Sequence, residues 1–113
     1  MLALTPLENF PFIQNGDDLI ECLIQSISST NIVLQNNDIL VLAQKIISKN
    51  EGRMVNLASV RPSHDAYQIS LQSGKDARLV ELILQESKTV LRIRPGTIIV
   101  EQRLGFICAN AGI

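Results

Sequence analysis

The 113-residue sequence has no tryptophan, one tyrosine and three phenylalanines. So few aromatics leave no surface for stacking bases. Charge of one sign is also missing: ten Lys and Arg against eleven Asp and Glu leave a net −1. That balance argues against an electrostatic footprint for nucleic acid or an anionic membrane. No apolar run approaches the roughly 20 residues a membrane-spanning helix needs. There are only two cysteines, Cys22 and Cys108, far apart in the chain. They make neither a metal-type pair nor a disulfide framework. The start, Met1 to Pro6, lacks the basic and long apolar segments of a signal peptide. The expectation is a cytoplasmic protein without nucleic-acid or membrane partners. The phosphate loop GxxxxGK[ST], the dinucleotide fingerprint GxGxxG, the nucleophile elbow GxSxG and the zinc motif HExxH are all absent.

What is present is a globular composition, 46% hydrophobic and 19% charged, of a length that defaults to one domain. Phe10-Pro11-Phe12-Ile13 is short and apolar, and Pro11 lacks an amide hydrogen, so an edge strand or an extended loop is expected. Asn15-Gly16 marks a turn. Asp17 or Asp18 then caps a helix whose Ile20, Leu23, Ile24 and Ile27 fall on one face. Ile39 to Ala43 is a continuous apolar run, the pattern of a strand covered on both faces. Met54 to Leu57 is expected as a short strand. Ser63 caps the next helix, with Ala66 and Ile69 inward, and Ser73-Gly74 ends it. Asp76 caps a stronger helix with Leu79, Val80, Ile83 and Leu84 as its stripe, completing an αα-hairpin. Thr89 to Ile93 and Thr97 to Val100 are β-rich, joined by Arg94-Pro95-Gly96 as a hairpin. Phe106 to Ala109 is a further strand. The class is α/β, or α+β, with a mixed sheet on which the N-terminal helix and the αα-hairpin pack.

Few residues point to chemistry. Lys45 and Lys49 follow the expected buried strand, where open α/β sheets bind ligands. As mobile point charges they suit phosphate, but spacing alone favours two solvated surface lysines. Asp17-Asp18 is either a metal pair or, as the flanking turn and helix indicate, a cap. Ser63, His64 and Asp65 superficially form a triad, but adjacent side chains on a helix do not face one another. His64 is then an exposed first-turn residue. Cys22 and Cys108 sit in apolar surroundings that favour inert thiols. Arg92, Arg94 and Arg103 either share an anion site or lie on exposed strand faces. The residues alone lead to an α/β domain, with anion binding as one option for it.

Several phrases, taken in order, carry more. Phe10-Pro11-Phe12-Ile13 precedes Gly16-Asp17-Asp18-Leu19. Asp38 to Lys49 precedes Glu51-Gly52-Arg53. Gly74-Lys75-Asp76 leads into Leu79 to Ser87, and Arg103 to Ile113 closes the chain. In this order and spacing they resemble the N-terminal part of the coenzyme F-420:L-glutamate ligase (γ-glutamyl ligase) family across essentially the whole chain. The resemblance implies a GTP-dependent ligase that adds L-glutamate to a deazaflavin precursor through an acyl phosphate. It implies GTP as co-substrate, Mg or Mn as divalent cation, and a homodimer. It places nucleotide contacts at Phe10, Pro11, Phe12 and Ile13, at Gln44 and Lys45, and at Lys49. Some members carry small hydroxyl residues at the 44–45 pair, so those contacts differ in kind between members. No catalytic residue is assigned. The family's first metal-binding Asp would follow Ile113, so no metal ligand is expected within the chain.

The chain stops on small apolar residues, Cys108 to Ile113, without a solvated tail. Residues 1–113 are therefore expected to be an incomplete domain, inactive alone, with a second domain absent. A non-catalytic anion-binding or protein-interaction module of the same fold is the other reading.

Overall fold

A computed structural model describes residues 1–113, which divide into two compact units, Met1–Met54 and Val55–Ile113.

In the first unit, α1 spans Leu19–Ser29 and α2 spans Gln44–Asn50. Asp18 caps α1 by accepting from the Glu21 amide at 3.0 Å. That removes one orphan donor and sets a negative charge against the positive end of the helix dipole. Only Ile13 and Ser26 are buried in this unit. The Ser26 hydroxyl donates to the Glu8 carbonyl at 2.8 Å, tying the preceding loop to α1. The Asn50 side-chain amide donates to the Asp17 carbonyl at 2.6 Å, tying the end of α2 to the start of α1. The Phe10 to Ile13 segment takes the extended-loop form.

Two expectations fail in this unit. Residues 39–43 enter no ladder, and Ile39 and Val41 are 84% and 87% exposed. The α1 stripe is open too: Ile20 and Ile24 are exposed, and Leu23 and Ile27 are half-buried. The physical reason is the same for both. A strand needs a neighbour to satisfy its backbone groups, and the unit contains no other strand to supply one. With no sheet in its unit, α1 leaves Ile20 and Ile24 in water.

The second unit is orderly. α3 spans His64–Ser73, α4 Ala77–Gln85, β1 Ser87–Arg94, β2 Thr97–Gln102 and β3 Ile107–Ala109. Ser63 caps α3 through the Ala66 amide, and Gly74 ends it in the left-handed conformation at φ 70°. A side chain at that φ would be strained, which is why glycine stands there. The expected strand at 54–57 is replaced by a 3₁₀ turn, Leu57–Ser59, whose entry is shaped by Asn56 accepting from the Ala58 amide.

The sheet order is β1-β2-β3 with both ladders antiparallel. The α+β class stands, but the sheet is antiparallel throughout rather than mixed, because the 39–43 run contributes no strand. Ile98 and Val100 of β2 are fully buried with Val80 and Ile83 of α4 and Ala66 of α3. The αα-hairpin thus covers one face of the sheet. The Gly96 amide at the hairpin tip donates to the Ser73 carbonyl at 2.7 Å, linking the β turn to the end of α3. Asn110, Ala111 and Gly112 all have positive φ, and Ala111 is buried there. The Asn110 side chain accepts from the Ile98 amide at 3.0 Å, helping to hold that turn against β2. No helix of the chain is long and apolar enough to cross a membrane.

Asp76, the α4 cap, supports a pH prediction. Hydrogen bonds from the Arg78 guanidinium and the Arg78 amide hold its carboxyl down to about 2, against an ordinary 3.8. A depressed folded value stabilises the native state above the unfolded value, and that contribution is lost as pH falls through the folded one. Thermal melts of wild type and Asp76→Asn should therefore differ most at neutral pH and converge between about pH 4 and 2. Curves that stay parallel across that window would remove the Arg78 pairing as the cause. The effect is modest, since the pair is solvent-exposed.

Candidate functional site

All seven residues expected to contact nucleotide fall in the first unit. The structure gives them different environments. Phe10 is half-buried and lines an open hollow of about 690 Å³. Pro11 is exposed beside a smaller hollow with Cys22 and Ser26. Phe12 is 95% exposed, and Ile13 is packed away at 5%. Successive residues of an extended segment point opposite ways, so this one cannot present all four side chains to one ligand.

The large hollow is walled by Leu23 and Ile27 of α1, by the run 39–43, by Ile46 of α2, and by the segment 3–7. Its polar lining side chains are Thr5 and Asp38. The Asp38 carboxylate already accepts from the Gln35 amide at 2.8 Å. Such a hollow can take an apolar or planar group by removing both surfaces from water. It has no cation in its lining and so does not itself hold phosphate.

Gln44 opens α2, Lys45 is exposed and Lys49 half-buried. Neither lysine lines the hollow, but their neighbours Ala43 and Ile46 do. Four residues apart on one helix, the two lysines lie on the same side. They follow the apolar run as expected, although that run is not a strand. The structure therefore brings Phe10 and Ile46 of α2 to one hollow. It does not bring Phe12, Ile13, Gln44, Lys45 or Lys49 into its lining.

The other candidates resolve plainly. Asp17 accepts from the Gln14 amide at 2.7 Å and Asp18 caps α1, so both carboxylates do local backbone work. His64 is exposed, and Ser63 is engaged with the Ala66 amide, so no triad forms. Cys22 and Cys108 are half-buried free thiols. No group of three His, Cys, Asp or Glu side chains gathers where a metal ion would sit. Arg94 lies at the hairpin end of β1, whereas Arg103 follows the far end of β2, so the three arginines do not share one site.

Sequence reasoning missed the part that segment 3–7 and Asp38 play in the large hollow. The only available signal was the apolarity of Leu4 and Leu7. It also missed the left-handed turn at 110–112, for which Asn110 and Gly112 were a usable cue.

A family model described as F420-0:Gamma-glutamyl ligase matches residues 8–113. The chain is 39% identical over 112 residues to the coenzyme F420:L-glutamate ligase of Methanothermobacter thermautotrophicus, covering 99% of this chain and 44% of that protein. The Methanopyrus kandleri protein of the same name is also 39% identical over 112 residues, covering 99% and 42%. The Archaeoglobus fulgidus one is 38% identical over 108 residues, covering 96% and 41%. The chain thus spans about two-fifths of the length of the curated relatives it matches.

Proposed function

The chain belongs to the F420-0:gamma-glutamyl ligase family, and from that premise we propose that it carries nucleotide-binding residues of a GTP-dependent ligase. The reaction joins L-glutamate to the precursor of the deazaflavin coenzyme F420. The observation that carries this reading is the family match across residues 8–113.

In the proposed route a carboxylate oxygen of the precursor attacks the γ-phosphorus of GTP. The bond to the β-phosphate oxygen breaks and GDP leaves. The amine nitrogen of glutamate then attacks the acyl carbon, phosphate departs, and the nitrogen sheds its proton. Charge builds on the transferring phosphoryl oxygens, and fixed cations nearby lower that barrier. Lys49 and Lys45 take this role, with Gln44 as a polar contact. Phe10 and the 10–13 backbone flank the guanine nucleotide, which suits the apolar hollow that Phe10 lines.

The Mg or Mn ion that the resemblance implies does not fit the residues present, because no three suitable ligands converge. No step here is routed through it, and none of these residues is assigned to it. The homodimer stays part of the same reading.

A ligation assay tests the proposal. Expressed at the relatives' length, the protein is expected to yield a product heavier by one glutamyl residue, with GTP required and ATP unable to replace it. The 113-residue chain alone is expected to release no phosphate from GTP with glutamate and precursor present. Turnover by that short chain would overturn the assignment of essential groups elsewhere, and failure of the longer protein with every substrate supplied would overturn the ligase reading.

A further inference from the structure

We propose that Asn15 is a site of spontaneous deamidation, closed by the amide nitrogen of Gly16. The site needs nothing from the ligase reading. In the step, the Gly16 nitrogen attacks the side-chain carbonyl carbon of Asn15 and passes its proton, by way of water, to the leaving nitrogen. The side-chain carbon–nitrogen bond breaks, ammonia departs, and a cyclic succinimide remains. Water then opens the ring. Attack at one carbonyl gives aspartate. Attack at the other gives isoaspartate, in which the main chain runs through the side-chain methylene.

The sequence and the turn together single out this residue. Of the eight asparagines, only Asn15 precedes a glycine. Any other residue there carries a β-carbon that crowds the attacking nitrogen and narrows the φ and ψ it can reach. Residues 15 and 16 form an exposed turn. Gly16 stands at φ 90°, and a β-carbon built on it would meet nothing within 4 Å, so the turn has room to rearrange. Neither the Gly16 amide nor the Asn15 carboxamide is held by a hydrogen bond.

The other asparagines are held or crowded. The side-chain oxygen of Asn110 accepts from the Ile98 amide at 3.0 Å, and that of Asn56 from the Ala58 amide at 2.9 Å. The amides that follow Asn31, Asn37 and Asn50 already donate to the carbonyls of Ile27, Gln35 and Ile47. Asn9 and Asn36 precede Phe10 and Asn37, whose side chains hinder the attack.

The products disturb the start of α1. Two hydrogen bonds close the turn before it: the Gln14 amide donates to the Asp17 carboxylate at 2.7 Å, and the Asp17 amide to the Gln14 carbonyl at 3.3 Å. Isoaspartate adds a methylene to the main chain between those anchors, so both bonds cannot keep their geometry. Either product also adds a carboxylate near Asp17 and Asp18, where like charges repel. One contact opposes the reaction. The Asn15 carboxamide lies against Gly52, its oxygen 2.9 Å from where a Gly52 β-carbon would stand. The alternative to the proposal is that this contact pins the side chain and protects it.

Ageing the 113-residue chain at mildly alkaline pH and mapping its peptides by mass spectrometry separates the two. In the folded chain, the peptide holding Asn15 is expected to convert to aspartyl and isoaspartyl forms, resolved by chromatography, before any other asparagine changes. The same chain in urea gives the unprotected rate. An exposed turn opens at little free energy, so the folded rate is expected within about tenfold of the urea rate. Asn15→Gln, whose longer side chain closes a ring far less readily, is expected to stop the conversion, with a thermal melt to check its folding. Should that variant unfold, the ratio of folded to urea rates in the wild type decides. Earlier conversion at another asparagine, a folded rate far below the urea rate, or aspartate formed without isoaspartate would each overturn the proposal.

Discussion

Replacing Ile83 by alanine is expected to remove about 2–5 kcal/mol from the second unit. Ile83 is fully buried on α4, packed in one cluster with Val80, Ile98, Val100 and Ala66. Truncation loses the transfer free energy of the removed carbons and leaves a cavity. The surroundings can close that cavity only partly, because they are a rigid β-hairpin on one side and a short αα-hairpin on the other. A unit of about sixty residues has roughly 3–9 kcal/mol of stability in all. The variant is therefore expected to lose a large share of that stability. Urea titration followed by Tyr67 fluorescence measures this cleanly, since Tyr67 is the chain's one tyrosine, it lies on α3, and there is no tryptophan. Leu71→Ala on the same helix is the control. Leu71 is exposed, and its loss should cost less than about 0.5 kcal/mol. Equal destabilisation by the two would mean that the core is not where the burial places it.

Lys49→Met is expected to weaken GTP binding by the chain between about tenfold and a hundredfold, the range for losing one charge-assisted contact to phosphate. Lys45→Met should weaken it less, because Lys45 is exposed and Lys49 half-buried, and a less hydrated charge is less screened. Methionine keeps most of the aliphatic stem, so packing is largely preserved. Titration of GTP by calorimetry gives both Kd values. The same Kd for wild type and Lys49→Met would take this lysine out of the nucleotide site.

Local signals in the second unit translated directly into structure. Ser63, Gly74 and Asp76 set the ends of α3 and α4 where capping chemistry puts them. Arg94-Pro95-Gly96 made the hairpin turn, and β-branched runs on both sides made β1 and β2. These choices depend on a few neighbours along the chain, so a sequence states them almost completely. In the candidate site, the sequence placed Lys45 and Lys49 together after an apolar run, and they are four residues apart on α2. It also pointed to Phe10 to Ile13, but not to how that segment divides.

What the sequence determined by itself was the family, through the order of its phrases, and every helix whose cap and stripe are local. What only the tertiary structure decided was which apolar face has a partner. Ile83 and Ile39 are both isoleucines in apolar runs, yet one is fully buried and the other 84% exposed. The difference is long-range pairing. α4 meets a hairpin formed by the residues just after it, whereas residues 39–43 have no second strand in their unit. A strand's burial depends on a neighbour that its own residues do not encode, and the same holds for the 10–13 segment, where Phe12 faces water and Ile13 is packed away.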